Sequence, residues 1–461
     1  MKQKLSKYMN MYAFFIVTAA IWGIIMSILI PVTQIPDEEN HFKQMMVAYG
    51  TPVYFDETYG YIEEVGFDEF DFGDYMKVDG PSYERGKNLK YEHKLSLGDF
   101  HIKLQAVKYL PAAVGFYLAA AIRLPIYICL RFAELFSLLF YIIVGFFALK
   151  AAPYKKEIFL FALLMPMAIQ EAGSFSPDAI VIPGCIFLTA MILNFKERET
   201  KVKWKDVLAF LLITFMVTIA KEVYFFMILG LLIVPLDQFE LKIGKKIELG
   251  SLFKKYRIIW IILILACSGV GVFVMRNSLY LRILQACMLQ PGRFLLLFRV
   301  SVSAFSFYYE HTMIGAFGWL DTFVSTNYLN LYLIMLFYLI LVHKKSETES
   351  LGRLKAIHRI ILLTVAFGVI VLVFMSMVCA TYEIYQFDLG AGVDEFRQNL
   401  YKIESIQGVQ GRYFIPVIPM AAIALSGEYE IRREKVSKAV QYLYYVVSVI
   451  YTLRLINARF W

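Results

Sequence analysis

Charge is scarce in this 461-residue chain: Asp, Glu, Lys and Arg make up 18% of it, against about 25% in an ordinary soluble domain. Together with 59% hydrophobic residues and a mean hydropathy of +0.59, this excludes a disordered chain and a soluble globular one. Cysteine is sparse as well. Its five positions, Cys129, Cys185, Cys267, Cys287 and Cys379, lie in or beside apolar stretches without C-x-x-C spacing. That excludes a disulfide scaffold and leaves them as small buried hydrophobes. The six histidines form no H-E-x-x-H pair, so the two-histidine spacing of a zinc site is missing. No internal repeat of the kind that marks many secondary transporters is visible.

What the chain does have is long apolar runs. Residues 11–30, 130–149, 257–275 and 360–380 each approach or exceed the ~20 residues that cross a hydrocarbon core. The expected fold class is an all-α polytopic membrane protein. Its basic residues concentrate in short loops: positions 2–7, 150–157, 196–205, 237–257, 344–359 and 428–438 hold 26 of the 46 Lys and Arg. The positive-inside rule places all six in the cytoplasm, with 11–30 as a retained first helix behind Lys2, Lys4 and Lys7. The basic residues share no single face, which argues against a nucleic-acid partner.

Keeping these loops on one side requires an even number of crossings between each pair. The 31-residue stretch 206–236 is read as two short passes turning at Lys221, because one straight helix would measure ~46 Å against a core of ~30 Å. The stretch 157–195 divides in the same way, with its turn at 171–178. Two further runs, 104–122 and 291–309, are read as helices in the outer interface, with Lys103, Lys108, Arg123, Arg293 and Arg299 snorkelling to head groups. The count is about 11 spans, N-terminus inside and C-terminus outside. Along the chain these form a tail and first span (1–30), an external segment with interfacial helices (31–127), and central spans (128–275). An external, interfacial segment (276–326) and C-terminal spans (327–461) with an external loop at 382–411 follow. The external piece 31–103 carries a net charge of −8 and tyrosine–glycine pairs that point to a small ordered cap.

Just beyond the first span stands Pro36-Asp37-Glu38-Glu39-Asn40-His41. Pro36 suits the first position of a helix, Asp37 and Glu38 its first turn, and Gly50 with Pro52 its end. Asp37 and His41, four apart, share a face and aim a carboxylate and an imidazole at the outer surface. Spacing alone leaves two readings open: the acidic first turn of an interfacial helix, or a catalytic or metal-binding pair. A lone histidine among carboxylates is poor evidence for a divalent metal, so no metal and no cofactor is assigned.

Pro-Asp-Glu-x-x-His followed by an Ala-x-Gly helix end resembles the signature of a bacterial membrane-protein family. That family is catalogued as a domain of unknown function and grouped with the GT-C type glycosyltransferases. Further motifs match in order: Ser176-Pro177-Asp178-Ala179, Lys221-x-x-Tyr224, Gly315-x-Phe317-Gly318-Trp319-Leu320-Asp321, and Gly411-Arg412-Tyr413-Phe414-Ile415-Pro416. The resemblance covers nearly the whole chain. It implies a GT-C-like helical bundle with an essential acid in the first external loop. It also implies a polyprenyl-phosphate-linked sugar as donor, a cell-envelope glycan as acceptor, and envelope-glycan assembly proteins as partners in the bilayer.

Transfer from a lipid phosphate needs a base for the acceptor hydroxyl and cations for the departing phosphate. Asp37 is the expected base, with Glu38 second and His41 to orient it. Lys221, at the tip of a short hairpin where a bare ammonium is costly in hydrocarbon, is the first phosphate ligand. Arg412 is the second. Tyr224 and Tyr413 belong to the same substrate-binding motifs. Asp178 positions the acceptor, carries a second acidic function or caps the helix after Pro177. Trp319 and Asp321 either read the sugar or, for Trp319, anchor the interface. Arg131 and Glu134, three apart in the second span, are expected to pair. Two rivals remain: a lipid-linked sugar flippase, which would use the same cations with matched broken helices, and a polysaccharide ligase or non-catalytic assembly partner, indifferent to Asp37.

Overall fold

The computed structural model describes residues 2–32, 34–49, 104–243, 245–248, 279–347, 354–427, 429–431 and 433–461. An apolar chain in lipid satisfies its backbone polar groups by hydrogen bonding within helices, and the described residues are helical over most of their length. Among the described residues, five helices are long and apolar enough to cross a membrane: Met11–Leu29, Ile126–Ala151, Asp178–Glu197, Ala356–Ile384 and Glu434–Phe460. Shorter apolar helices run over Glu222–Ile233, Thr326–Leu341 and Gly411–Ala424.

Several of the stretches expected to cross are broken into shorter pieces. Residues 157–195 fold as Lys156–Leu163, Pro166–Ala172 and Asp178–Glu197, with Pro166 ending the first piece. Residues 206–236 fold as Trp204–Ala220 and the tighter 3₁₀ helix Glu222–Ile233. Between these two, Lys221 is extended (φ −150°, ψ 109°). Their far ends meet, since Val202 pairs with Phe239 and its N–H donates to the Gln238 carbonyl at 2.7 Å. The turn at Lys221 is therefore a true reversal. The span expected at 257–275 and most of the external cap lie outside the described residues.

The Asp178–Glu197 helix is the axis of the bundle: 89% of its apolar window is buried, against 33% for the Ala356–Ile384 and Glu434–Phe460 helices. It packs against Ile126–Ala151, Trp204–Ala220 and Glu222–Ile233. Small residues permit close helix approach; a Cβ on Gly115 would stand 2.3 Å from the Phe132 carbonyl oxygen. The Leu110–Ala121 helix that carries Gly115 has 12 residues, about 18 Å of length, so it cannot cross a core of ~30 Å alone. The Pro291–Ile314 helix is kinked at Phe305.

Four expectations are settled here. Arg131 and Glu134 do pair, at 2.8 Å, and the same guanidinium donates to the Ile30 and Ser27 carbonyls at the end of the first helix, where intrahelical partners run out. Cys129, Cys185, Cys287 and Cys379 are buried and free; Cys267 is outside the described residues. Arg293 corrects the snorkelling expectation. It donates to the Leu400 and Ile403 carbonyls at 2.9 and 2.7 Å, because non-helical carbonyls of the 382–411 loop lie within its reach and need donors. The structure is mostly helical, as expected, and among the described residues three short strand pairs are added in the connections. Glu240–Ile243 pairs with Lys245–Glu248 and Ala316–Phe317 with Thr322–Phe323, both antiparallel. Val342–His343 pairs in parallel with Tyr429–Glu430.

Candidate functional site

The site grows from the turn between the Pro166–Ala172 and Asp178–Glu197 helices. Serines brace this turn locally. Ser174 Oγ donates to the Glu171 carbonyl at 2.8 Å and accepts from Ser176 N at 3.0 Å, and Ser176 Oγ accepts from Asp178 N at 3.2 Å. Such hydroxyl–backbone bonds hold a turn that main-chain bonds alone leave open. The result fixes two carboxylates, Glu171 and Asp178, on either side of the turn, both nearly inaccessible to solvent.

Two cations from distant parts of the chain meet them. Lys221 Nζ lies 2.5 Å from Asp178 Oδ1, and Arg412 Nε lies 3.4 Å from Asp178 Oδ2. Arg412 Nη1 also pairs with Glu171 Oε1, with both side chains buried. Lys221 and Arg412, expected to converge, thus converge on one carboxylate, and the four charges sum to zero. Asp178 is not a helix cap: it is the first helical residue, and its side chain faces Lys221. Nor does Lys221 need its neighbour Glu222 as partner. Its ammonium also stands 4.1 Å from the centre of the Tyr413 ring, a cation–π distance. Tyr224, one turn beyond Lys221, donates its hydroxyl to the Tyr413 carbonyl at 2.7 Å.

Arg412 is delivered by a close backbone approach. Gly411 N donates to Thr312 Oγ1 at 2.7 Å, and a Cβ on Gly411 would stand 1.8 Å from the Tyr309 carbonyl oxygen. Only glycine fits there.

The Pro-Asp-Glu-x-x-His segment abuts this quartet. Its helix is Glu38–Ala48 with Asp37 as N-cap at φ 62°, so Pro36 precedes the cap and is not the first helical residue as expected. A positive φ is tolerated by Asp better than by most residues. This left-handed cap divides the two acids. Glu38 is buried and its Oε1 accepts from Phe175 N at 3.3 Å, docking the helix onto the serine-braced turn. Asp37 stays exposed. Tyr308 lies within electrostatic reach of both Asp37 and Arg412, which puts the exposed acid on the quartet's side of the molecule.

His41 points elsewhere than at Asp37: its Nδ1 is 3.0 Å from Tyr109 Oη. The single hydroxyl proton of Tyr109 goes to Gln44 Oε1 at 2.8 Å, so the Tyr109 oxygen accepts from His41 Nδ1–H and leaves Nε2 as a bare acceptor. Burial, then the charge of Lys221, push the imidazole down to about 3, with Arg412 and Lys108 acting in the same direction and Asp178 against them. His41 is neutral at physiological pH.

A groove of about 410 Å³ opens beside the quartet. Lys221, Tyr224 and Tyr413 line it, Lys108 contributes from the Leu104–Tyr109 turn, and a further wall is the Val373–Glu383 part of the long helix. Trp319 and Asp321 are not joined to the quartet by any hydrogen bond or ion pair among the described residues. Trp319 is exposed, and Asp321 pairs with Arg459 at 2.9 Å. Their hairpin touches the site indirectly, through Gly318 N and Gln170 Oε1 at 3.2 Å. Among the described residues no cluster of His, Cys, Asp and Glu has the makings of a metal site.

Glu171 is the residue that sequence reasoning missed. The turn at 171–178 was legible, and a carboxylate at its edge inside an apolar run is itself a signal, since a buried acid needs a cation.

A family model described as a predicted membrane protein (DUF2142) matches residues 81–421. That is well over half of the chain, which therefore belongs to this family. No curated protein and no solved structure matches it. Family and apolar helices together make it a multi-pass membrane protein.

Proposed function

We propose that this member of the DUF2142 family is a GT-C type glycosyltransferase that moves a sugar from a polyprenyl-phosphate donor to a cell-envelope glycan. In this reading the chain crosses the membrane about 11 times with its N-terminus in the cytoplasm, and the site lies on the extracytoplasmic face. The observation that carries the reading is the groove. One wall is the apolar flank of a membrane-length helix, and the other ends at Lys221, whose ammonium is held by Asp178 and whose side chain is 26% exposed. A lipid chain fits the first wall and its phosphate the second.

The chemistry follows from charge. As the bond between the sugar C1 and the phosphate oxygen breaks, the electron pair goes to that oxygen, and the growing negative charge needs a cation. Lys221 is placed to exchange its Asp178 contact for the phosphate, since both partners offer anionic oxygens. Arg412, clamped to buried Glu171, keeps Asp178 in place meanwhile. The acceptor hydroxyl loses its proton to a carboxylate as its oxygen bonds to C1. Glu38, Glu171 and Asp178 are engaged within the protein; of the two leading acids of the Pro-Asp-Glu-x-x-His motif, Asp37 is the exposed one, and in this reading it is the base. Tyr413 gives the sugar an aromatic neighbour.

Asp37→Asn keeps the shape of the cap and removes the proton acceptor. Glycan extension in membranes holding the variant at normal abundance is expected to fall by about 10²–10⁴-fold. Activity within a few-fold of the unmodified protein would exclude Asp37 as base.

A further inference from the structure

We propose that Lys108 and Lys221 form a two-cation clamp for the phosphate of a single-chain lipid whose tail lies along the apolar side of the groove. This rests on the reading of the groove as a lipid-phosphate site, and it assigns the second cation to Lys108 rather than to Arg412. Both lysines line the same cavity although 113 positions separate them in the sequence. Arg412 does not line it: its side chain is 2% exposed and its guanidinium is paired with Glu171.

The two ammonium groups are arranged for a shared anion. Lys108 Nζ donates to the neutral Gln44 Oε1 at 3.2 Å and stands 5.0 Å from the Tyr109 ring centre, so its described contacts orient the charge without cancelling it. Burial lowers the affinity of Lys108 for its proton; Glu222 opposes this, and the charge of Lys221 adds to it to a smaller extent. Two like charges brought to one half-buried cavity repel, and an anion between them relieves the repulsion. Glu222 and Glu383 also line the groove; both are exposed, and Glu222 acts on Lys108 more strongly than Lys221 does, so an incoming phosphate competes with it for the Lys108 ammonium.

The remaining lining gives the tail its place. Ile219, Val223, Val373, Met377 and Ala380 are apolar, and the three from the long helix follow one another along its side at helical spacing. The cavity volume is near the lower end of the roughly 300–1,000 Å³ typical of ligand pockets. It takes a head group and the first part of one chain rather than two acyl chains side by side.

The test is binding to the purified full-length protein in phosphatidylcholine nanodiscs, titrated with a long-chain polyisoprenyl phosphate, phosphatidylglycerol and inorganic phosphate. The polyisoprenyl phosphate is expected to bind, and Lys108→Met and Lys221→Met are each expected to weaken it about tenfold or more. The double variant should lose less than the product of the single losses, because both side chains grip one phosphate. Lys108→Arg, which keeps the charge, should retain binding. Inorganic phosphate should bind far more weakly, with the same lysine dependence. Lys108→Met with the affinity of the unmodified protein, beside a weakened Lys221→Met, would overturn the clamp and leave the proposed function standing. Phosphatidylglycerol bound as tightly as the polyisoprenyl phosphate would overturn the single-chain assignment. No binding of any lipid phosphate by the unmodified protein would overturn the proposed function itself.

Discussion

The two ends of the Asp178–Glu197 helix employ cations differently. At the Glu197 end three of them hold backbone, beside the ion pairs Lys196–Glu197, Arg198–Asp206 and Lys344–Glu157. Lys155 Nζ donates to the Leu339, Ile340 and Val342 carbonyls at 2.9, 2.8 and 2.6 Å, closing the end of the Thr326–Leu341 helix where carbonyls lack intrahelical partners. Lys156 reaches the Leu149 carbonyl at 2.9 Å, and Arg359 the Ala424 and Ser426 carbonyls at 3.1 and 2.7 Å. At the Asp178 end the cations hold carboxylates and an aromatic ring. The difference matters chemically. A carbonyl is fixed by the chain and neutral, so no substrate replaces it. A carboxylate paired with a partly exposed ammonium is matched in charge and geometry by a phosphate. A second cavity, about 160 Å³, lies at the Glu197 end, lined by Lys155, Glu157, Lys344 and Glu347 among others. Its Lys155 is taken up by carbonyls, its Lys344 pairs with Glu157 much as Lys221 pairs with Asp178, and Lys435 and Lys438 line it as well. Cavity plus charge is therefore not enough to mark a site.

The largest effect that sharpens the contrast comes from Arg412→Met. It leaves Glu171 buried without its cation, a loss of about 3–5 kcal/mol, read as a lowered thermal unfolding temperature in detergent. Glu171→Met combined with Arg412→Met should recover most of it, since two apolar side chains replace two charges. Unchanged unfolding with loss of lipid-phosphate binding would make Arg412 a ligand rather than a brace, and the distinction from Lys221 would fail.

Lys155→Met should cost less, about 1–3 kcal/mol for carbonyls left without donors, and leave glycan transfer intact at a permissive temperature. Loss of transfer with unchanged thermal unfolding would move function to the Glu197 end.

The smallest effect is a pH slope. The folded protein keeps His41 neutral down to about pH 3, whereas the unfolded chain protonates it near its ordinary value of 6.5. The unfolded state therefore binds more protons between those values. This contribution to stability is complete above pH 6.5 and is lost as pH falls toward 3. His41→Gln should flatten the fall in unfolding temperature between pH 7 and pH 5, in units read directly from the melting curves. An unchanged slope would show that the imidazole is not held neutral beside Lys221 and Arg412.

Much of the framework is legible without the fold. The reversal at Lys221 follows from helix length against bilayer thickness, and the Arg131–Glu134 pair from helical spacing. The turn at 171–178 and the burial of the four described cysteines follow from local composition in the same way. All are consequences of segments no longer than a few turns. The division of labour in Asp37-Glu38 was not legible, because it depends on a left-handed cap and on Phe175, 137 residues away.

By itself, then, the sequence determined a polytopic helical membrane protein with a conspicuous acid motif and two isolated cations near helix ends. Hydrophobic length and periodicity act locally, and a bilayer leaves an apolar chain few alternatives. Only the tertiary structure decided which charges meet. Glu171 and Arg412 are 241 residues apart, and Asp178 and Lys221 are 43 apart. Nothing in either neighbourhood names the partner, because a charge in a low-dielectric bundle takes whichever opposite charge the packing of helices brings within reach.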